Sequence, residues 1–281
     1  MIPPEFDYTR VSSVDEAISA LTDGGEDAKL LAGGHSLVPL MKLRLAAPGL
    51  LVDIGGVEEL KGVQRSNGSF SIGAMTTHAT LQFDEQLGLL SVAASEIADQ
   101  QVRNRGTIGG SIAHGDPASD LPAVLLAAEA EVVAKGPNGE RTIPVAELWQ
   151  DYLTTSLAPD EVLTEIRVPA LEGYSHGYEK FTRRAEDWAM VGVAALVSVR
   201  DGTCEDVRVG LTHMSSTALR ASAVEDALRG QPLDAERIAQ AAELATEGTE
   251  PPADLNASAD YKRQLARVLT RRALEKAAGL S

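Results

Sequence analysis

The chain has 281 residues, enough for two or three small lobes, and its 44% hydrophobic and 23% charged residues are ordinary for a globular fold rather than a disordered or fibrous one. Its 41 acidic against 25 basic residues leave a net charge of -16, a surface that repels phosphate backbones and anionic lipid, so no nucleic-acid partner is expected. The single cysteine, Cys204, excludes an intrachain disulfide and any all-thiolate iron-sulfur or zinc site built from this chain alone, so a metal redox centre would have to sit on a partner.

No apolar run approaches the ~20 residues that cross a bilayer, and Met1-Ile2-Pro3-Pro4-Glu5 lacks a basic stretch followed by an apolar one. No transmembrane segment and a cytoplasmic location are therefore expected. Ser13 with Glu16 reads as a capping box. Val14, Ala17, Ile18 and Leu21 then share one helical face before Gly24-Gly25 stops the helix. A short strand over 29–32 runs into Gly33-Gly34-His35-Ser36, followed by a helix carrying Leu37, Leu40 and Met41, with Pro39 tolerable in its first turn. A second strand over 50–54 ends at Gly55-Gly56, which sets a first lobe at 1–56.

From Gly62 the texture changes to short strands and turns. Asn67-Gly68 signals a hairpin, residues 69–73 alternate, and a helix is expected to begin near Thr76-Thr77. A single helix over about 89–102 leads to Gly106-Thr107-Ile108-Gly109-Gly110-Ser111, and another opens around Pro117 to Pro122 and continues through Ala128. Strands over 131–135 and 141–143 flank Pro137-Asn138-Gly139, and Val162, Thr164, Ile166 and Val168 alternate as a half-buried strand that Pro169 ends. These elements make a second lobe at 57–173. A third lobe at 174–281 is expected to hold strands over 178–183, 191–199 and 206–212, with Asp201-Gly202 turning the last two. Ala-rich helices over 218–229, 234–247 and 258–277 would cover that sheet, giving an α+β fold.

Two glycine pairs, Gly33-Gly34 and Gly109-Gly110, each follow an apolar stretch and have a serine within two residues. Glycine lets the main chain turn tightly and approach a phosphate, and successive N–H groups at a turn or helix start supply donors with a favourable dipole. The hydroxyls of Ser36, Thr107 and Ser111 add further donors. Either pair alone reads more readily as a tight turn. Two such loops suit a diphosphate with groups at each end, and neutral amides can hold it despite the chain's negative charge. An NAD-type fingerprint is excluded because no two glycines are separated by one residue, and a P-loop because no glycine precedes lysine.

Gly-x-Ser-x-Gly and His-Glu-x-x-His are both absent, and Cys204 has no obvious partner histidine near it in sequence. His114, Asp116 and Asp120 are close enough to suggest a metal site, but beside Pro117 at a helix start capping and dipole compensation explain the acids better, so no metal is assigned. His78 reads as a polar helix-start residue before a base, and His176 and His213 carry no usable signal. No acid-base catalyst is nominated.

Taken in order, Ala32-Gly33-Gly34-His35-Ser36-Leu37, Lys42-Leu43-Arg44-Leu45-Ala46, Leu51-Val52-Asp53-Ile54, Ile72-Gly73-Ala74-Met75-Thr76-Thr77, Arg105-Gly106-Thr107-Ile108-Gly109-Gly110-Ser111 and Asp116-Pro117-Ala118-Ser119-Asp120-Leu121-Pro122 resemble the FAD-binding medium subunits of aerobic, molybdenum-containing carbon monoxide dehydrogenases in the xanthine oxidase, or molybdenum hydroxylase, group. The likeness runs from Phe6-Asp7-Tyr8 to a final helix with Tyr261, Arg271 and Arg272. It implies a two-lobed FAD-binding domain of the vanillyl-alcohol-oxidase (PCMH) type and a C-terminal lobe with a three-stranded antiparallel sheet and a helical bundle. By the same likeness, Ala32, Gly33, Gly34, His35, Ser36 and Leu37, with Thr107, Ile108, Gly109, Gly110 and Ser111, would hold the FAD diphosphate, His35 through its backbone. Asp120 would take the adenosine-side ribose, and Leu163 and Lys180 would line the cofactor. Without the likeness, Asp120 reads as a helix-start acid and Lys180 as a surface strand residue. Trp188, in Arg183-Arg184-Ala185-Glu186-Asp187-Trp188, falls where relatives place a residue, often tyrosine, over the flavin ring; stacking on the flavin and an ordinary buried aromatic are both open.

The resemblance also implies partners: a small subunit with two iron-sulfur clusters and a large one with a molybdopterin cofactor, assembled as a dimer of heterotrimers that oxidises CO. This chain would take electrons from the clusters and pass them to an external acceptor such as a quinone, with the complex at the inner face of the membrane. Medium subunits of aldehyde, nicotine or xanthine hydroxylases are the alternative, since substrate choice lives on the large subunit. A free-standing flavin oxidase of the same fold and a non-enzymatic nucleotide-binding scaffold are the remaining rivals.

Overall fold

The computed structural model describes residues 2–66 and 68–280. Its first unit is a small parallel sheet made by β1 (Asp7–Arg10), α1 (Val14–Gly24), β2 (Ala28–Leu31), α2 (Leu37–Lys42) and β3 (Leu50–Asp53), in which β3 lies between β1 and β2 and runs parallel to both. Ser13 Oγ accepts from the Glu16 amide at 3.2 Å and so caps α1, while the Glu16 carboxylate reaches back to the amide and hydroxyl of Ser12 instead of Ser13. The expected face of Val14, Ala17, Ile18 and Leu21 is buried with Val52 and Ile54. Strand β1 has no sequence signal because it is an edge strand with three of its four residues exposed.

The second unit begins with the hairpin of β4 (Val63–Ser66) and β5 (Ser69–Gly73), whose expected turn residue Asn67 lies outside the described residues. It continues through α3 (His78–Gln82), α4 (Leu89–Ser95), α5 (Gln100–Arg103), α6 (Ile108–His114) and α7 (Asp120–Ala127), then β6 (Glu131–Gly136), β7 (Gly139–Pro144), α8 (Val145–Leu148), β8 (Trp149–Asp151), β9 (Thr154–Thr155) and β10 (Val162–Pro169). Its sheet has the order β4-β5-β10-β6-β7 with antiparallel pairing throughout. The one helix expected over about 89–102 is broken in two. Ala98 takes a φ of 42°, and Asp99 restarts the chain by accepting from the Val102 amide at 2.8 Å, an N-cap of ordinary chemistry. Arg103 holds the break by donating to the carbonyls of Ile97 and Ala98.

The third unit is an antiparallel sheet of β11 (Ser175–Phe181), β12 (Val191–Arg200), β13 (Thr203–Thr212) and β14 (Leu219–Arg220), covered by α9 (Ser222–Leu228), α10 (Ala235–Ala242) and α11 (Ala259–Ala277). Three strands were expected; the fourth pairs only two residues with β13, too short to leave an alternation. Asp201 and Gly202 have φ of 52° and 75°, the left-handed pair that a two-residue hairpin turn needs. Two glycines set how closely helices approach this sheet. A Cβ at Gly177 would fall on the Ala273 carbonyl oxygen of α11, and one at Gly210 on the Ala123 carbonyl oxygen of α7. Gly177→Ala and Gly210→Ala should each lower stability by about 1–3 kcal/mol in urea unfolding, the usual cost of overpacking. A variant as stable as the parent would show that the helix can slide off the sheet without loss.

Candidate functional site

A cleft of about 520 Å³, within the range of small-molecule sites, is lined by all three units. Ala32, Gly33, Gly34, His35, Ser36 and Leu37 reach it from the β2–α2 turn, and Thr107, Gly109, Gly110 and Ser111 from the start of α6. The two segments meet directly. A Cβ at Gly33 would fall on the Arg105 carbonyl oxygen with the Gly106 Cα 2.9 Å away, and one at Gly110 would lie 3.6 Å from the Ala32 Cβ. Gly34 adopts a φ of 79°, which turns the chain back into α2.

The segments contribute different chemistry. Among the described residues nothing accepts from the backbone amides of Gly33, Gly34, His35 and Ser36, so four successive donors on the cleft wall are free for a ligand. The second segment does not add a row of amides, contrary to expectation. Ile108 donates to the Thr76 carbonyl at 3.0 Å, Gly109 to Ala74 at 2.8 Å, Gly110 to Thr107 Oγ1 at 3.2 Å and Ser111 to the Thr107 carbonyl at 3.0 Å. Those bonds dock the start of α6 onto residues 74–76, and a Cβ at Gly109 would sit 2.6 Å from the Ala74 Cβ. The segment therefore offers the hydroxyls of Thr107 and Ser111, while a Cβ at Gly110 would fall 2.8 Å from Thr107 Oγ1. Ile108 is buried in the core and is not on the cleft wall.

Asp120, at the start of α7, and Lys180, on β11, face each other on the cleft wall with side chains 5% and 4% exposed. Lys180 Nζ donates to Asp120 Oδ2 and to the Glu96 carbonyl, both at 2.9 Å, and the Tyr178 hydroxyl donates to Asp120 Oδ1 at 2.6 Å. Burial pushes the Asp120 carboxyl above the ordinary carboxylate range, against the pull of Lys180 and the Tyr178 bond; burial followed by the Asp120 charge pushes the Tyr178 phenol well up. Lys180 is thus no surface strand residue. Leu163 is buried and lines the same cleft. Trp188 lines it too, and at 55% exposure it is not the ordinary buried aromatic that was the alternative. Asp116 accepts from the Ala118 amide at 2.9 Å in the turn ahead of α7, whose N-cap position is Ser119, so it does not cap the helix as expected.

Several wall residues escaped the sequence. Ile97 and Ala98 arrive there through the helix break, and Met75 and Ser119 through loops that carry no periodicity; the Ser119 hydroxyl has no partner among the described residues. His78 is 4% exposed, pressed against Gly106, and its Nδ1 has no partner among the described residues. Burial, with the charges of His35 and Arg103, pushes its pKa down to about 4. The capping signal at Thr77, whose hydroxyl accepts from the Thr80 amide, placed His78 at a helix start but could not show how deep that start lies.

Residues 4–171 match the family described as the FAD binding domain in molybdopterin dehydrogenase, and residues 176–277 match the CO dehydrogenase flavoprotein C-terminal domain. The chain belongs to this family of FAD-binding oxidoreductase subunits. It is 45% identical to the carbon monoxide dehydrogenase medium chain of Hydrogenophaga pseudoflava, covering 99% of this chain and 98% of that one. It is also 42% identical to the 6-hydroxypseudooxynicotine dehydrogenase complex subunit alpha of Paenarthrobacter nicotinovorans, covering 99% and 96%. The solved carbon monoxide dehydrogenase from Hydrogenophaga pseudoflava that lacks the Mo-pyranopterin moiety superposes with a TM-score of 0.97 at 47% identity, covering 100% of this chain and 99% of that one.

FAD fits what the cleft presents: a turn of amides unpaired among the described residues for the diphosphate, faced by the hydroxyl-bearing Thr107 and Ser111. Gly33→Val should weaken FAD binding by about tenfold or more, since the added carbons either displace the turn or part the two segments; flavin titration measures it, and unchanged affinity would remove Gly33 from the site. Stability should depend on pH through His78. Its folded pKa of about 4 lies below the ordinary 6.5, so the stability is complete above pH 6.5 and falls as pH drops toward 4, because only the unfolded chain then binds the proton. Thermal melts between pH 7 and pH 4 should slope less in His78→Gln; equal slopes would show that His78 does not drive the loss.

Proposed function

We propose that this chain is the FAD-bearing electron-transfer subunit of a molybdenum hydroxylase of the carbon monoxide dehydrogenase kind. The supporting observation is the Gly33–Ser36 turn, with four unpaired amides on a cleft closed by the Thr107–Ser111 segment, in a chain 45% identical to a carbon monoxide dehydrogenase medium chain over nearly its whole length. Ala32 to Leu37 hold the FAD diphosphate by backbone donors, Thr107 and Ser111 add hydroxyls, and Gly109 and Gly110 let the start of α6 close up on Ala74 and Thr107 so that those hydroxyls reach it. Asp120 takes the adenosine-side ribose, Leu163 and Lys180 line the cofactor, and Trp188 lies against the flavin ring. When bound, FAD supplies an exchange between single electrons from iron-sulfur clusters and electron pairs for an acceptor.

The chain's own residues bind, orient and tune. Asp120 and Lys180 are spent on each other, so no acid-base step is assigned to them. The partners in this reading are a small iron-sulfur subunit and a large molybdopterin subunit in a dimer of heterotrimers, cytoplasmic, at the inner face of the membrane where a quinone is the acceptor. Lobe boundaries fall after residues 56 and 173.

A second reading, the medium subunit of a hydroxylase acting on an aldehyde or heterocycle, is favoured by the 42% identity to the 6-hydroxypseudooxynicotine dehydrogenase subunit, nearly equal to the first. Native purification followed by flavin and metal analysis tests both. FAD equimolar with the chain, together with molybdenum, iron and CO-dependent dye reduction, is the expected result. Dye reduction by an aldehyde or N-heterocycle but not by CO selects the second reading. A colourless chain, or flavin turnover by this chain without iron or molybdenum, overturns both.

A further inference from the structure

The loop that carries Trp188 packs on the helical lobe through Met190 and is hydrogen-bonded beside the indole by one histidine, His213. Residues 182–190 join β11 to β12, and Glu186, Asp187 and Trp188 face the cleft from it. The Met190 amide closes the loop's base by donating to the Phe181 carbonyl at 2.9 Å. Trp188 is half exposed, whereas Ala189 beside it is 1% exposed. The Ala189 carbonyl lies 2.8 Å from His213 Nδ1, and because a carbonyl only accepts, Nδ1 carries the proton. His213 Nε2 lies 3.2 Å from Lys262 Nζ, and because an ammonium only donates, Nε2 is the bare nitrogen. The tautomer is therefore set from both ends.

Burial lowers the His213 pKa against the Ala189 bond, and Lys262 lowers it further, while Asp254 and Asp116 pull the other way. The Lys262 side chain is wholly buried on α11, its ammonium 2.6 Å from Asp254 Oδ2. Asp254 also accepts from the amides of Asn256 and Ala257, and these bonds with Lys262 outweigh burial and hold its carboxyl at about 2. His213 sits at a φ of 63°, and its amide donates to the Pro117 carbonyl at 2.9 Å, just ahead of α7. A buried ammonium is weak evidence for stability by itself, since an apolar replacement often serves as well. Here its reach ends on the residue next to Trp188.

We infer that Asp254, Lys262 and His213 are positioning residues for Trp188: carboxylate, ammonium and imidazole in series fix the Ala189 carbonyl and so set the indole against the bound flavin. The inference rests on the proposed placement of FAD in the cleft. It makes the flavin's outer face depend on a helix that lines no part of the cleft. Two substitutions at position 213 separate the bonds. Asparagine tolerates the left-handed backbone and can place an N–H where Nδ1 stood, keeping the Ala189 bond and losing Lys262. Glutamine reaches the place of Nε2, accepting from Lys262 and leaving Ala189 unpaired.

The test is the flavin emission of the FAD-loaded complex, excited in the visible, at matched FAD content. A contacting indole quenches that emission, and Trp188→Phe defines the unquenched level. His213→Gln should recover more than half of the Trp188→Phe rise, while His213→Asn should stay close to the parent. A His213→Gln emission as low as the parent's overturns the positioning role and leaves the flavin site standing. No rise in Trp188→Phe overturns the placement of the indole at the flavin and the inference with it. Should His213→Gln not fold, Lys262→Met is measured instead: it keeps the stem and removes the ammonium, so a rise supports the series and none overturns it.

Discussion

The cleft exists because two backbones pass each other at a distance that no side chain permits. Gly33 rests against the Arg105 carbonyl and the Gly106 Cα, and at the neighbouring joint Gly73 rests against the Leu60 carbonyl, so that a Cβ at either would collide with main chain. Main chain cannot rotate away as a side-chain end can, which makes these positions stricter than ordinary core packing. The Gly33 contact brings the parallel unit against the antiparallel unit at the cleft, and the Gly73 contact holds Leu60 on β5 behind it. Everything polar on the wall is arranged around a gap whose size is fixed sterically.

Within that gap the donors and the scaffold are separate segments. The turn from Gly33 to Ser36 keeps its amides unpaired, while Ile108, Gly109, Gly110 and Ser111 spend theirs on Ala74, Thr76 and Thr107. The carbonyls of Gly34 and Ser36 tie the turn into α2, accepting from Val38 and Leu40, and the second segment supports its other side at Gly33. This division suits an acidic chain. Neutral amides can hold a diphosphate without a cation, and Lys180, buried on the wall, already has its charge met by Asp120.

Much of this was legible because it rests on residue types with few alternatives. Glycine pairs, the Ser13 cap, Asp201-Gly202 and the alternation from Val162 to Val168 each report a local backbone need, and local needs survive into sequence. The family's motifs added the convergence of the two loops, which no local signal carries. What stayed hidden was non-local. The amides of Ile108 and Gly109 looked free because their acceptors, Thr76 and Ala74, lie some thirty residues away. Strand β14 is two residues long, and β1 is an exposed edge. Ala98 takes a left-handed φ without being glycine or asparagine, so the break that brings Ile97 to the wall had only Asp99 to announce it. His213 offered nothing, since its role lies in partners from three separate segments.

The C-terminal lobe is more than a cover on this site. Asp120 stands at the start of α7 in the second unit, and both of its oxygens are taken by β11, through Tyr178 and Lys180. Burying a carboxylate and an ammonium together gains little net stability, because desolvation offsets most of their attraction, yet removing either one would strand the other at a cost of about 3–5 kcal/mol. Such a pair therefore acts as a registration device: α7 and β11 can meet in one arrangement and no near neighbour of it. Gly210, which admits the α7 backbone onto β13, allows the same contact from the steric side. In the proposed placement of FAD, registering α7 sets the adenosine end of the cleft from the second unit, and the Trp188 loop sets the flavin end from the third. A cofactor so placed, gripped at its middle by a turn and bounded at its two ends by different lobes, would be held in position without any residue having to react.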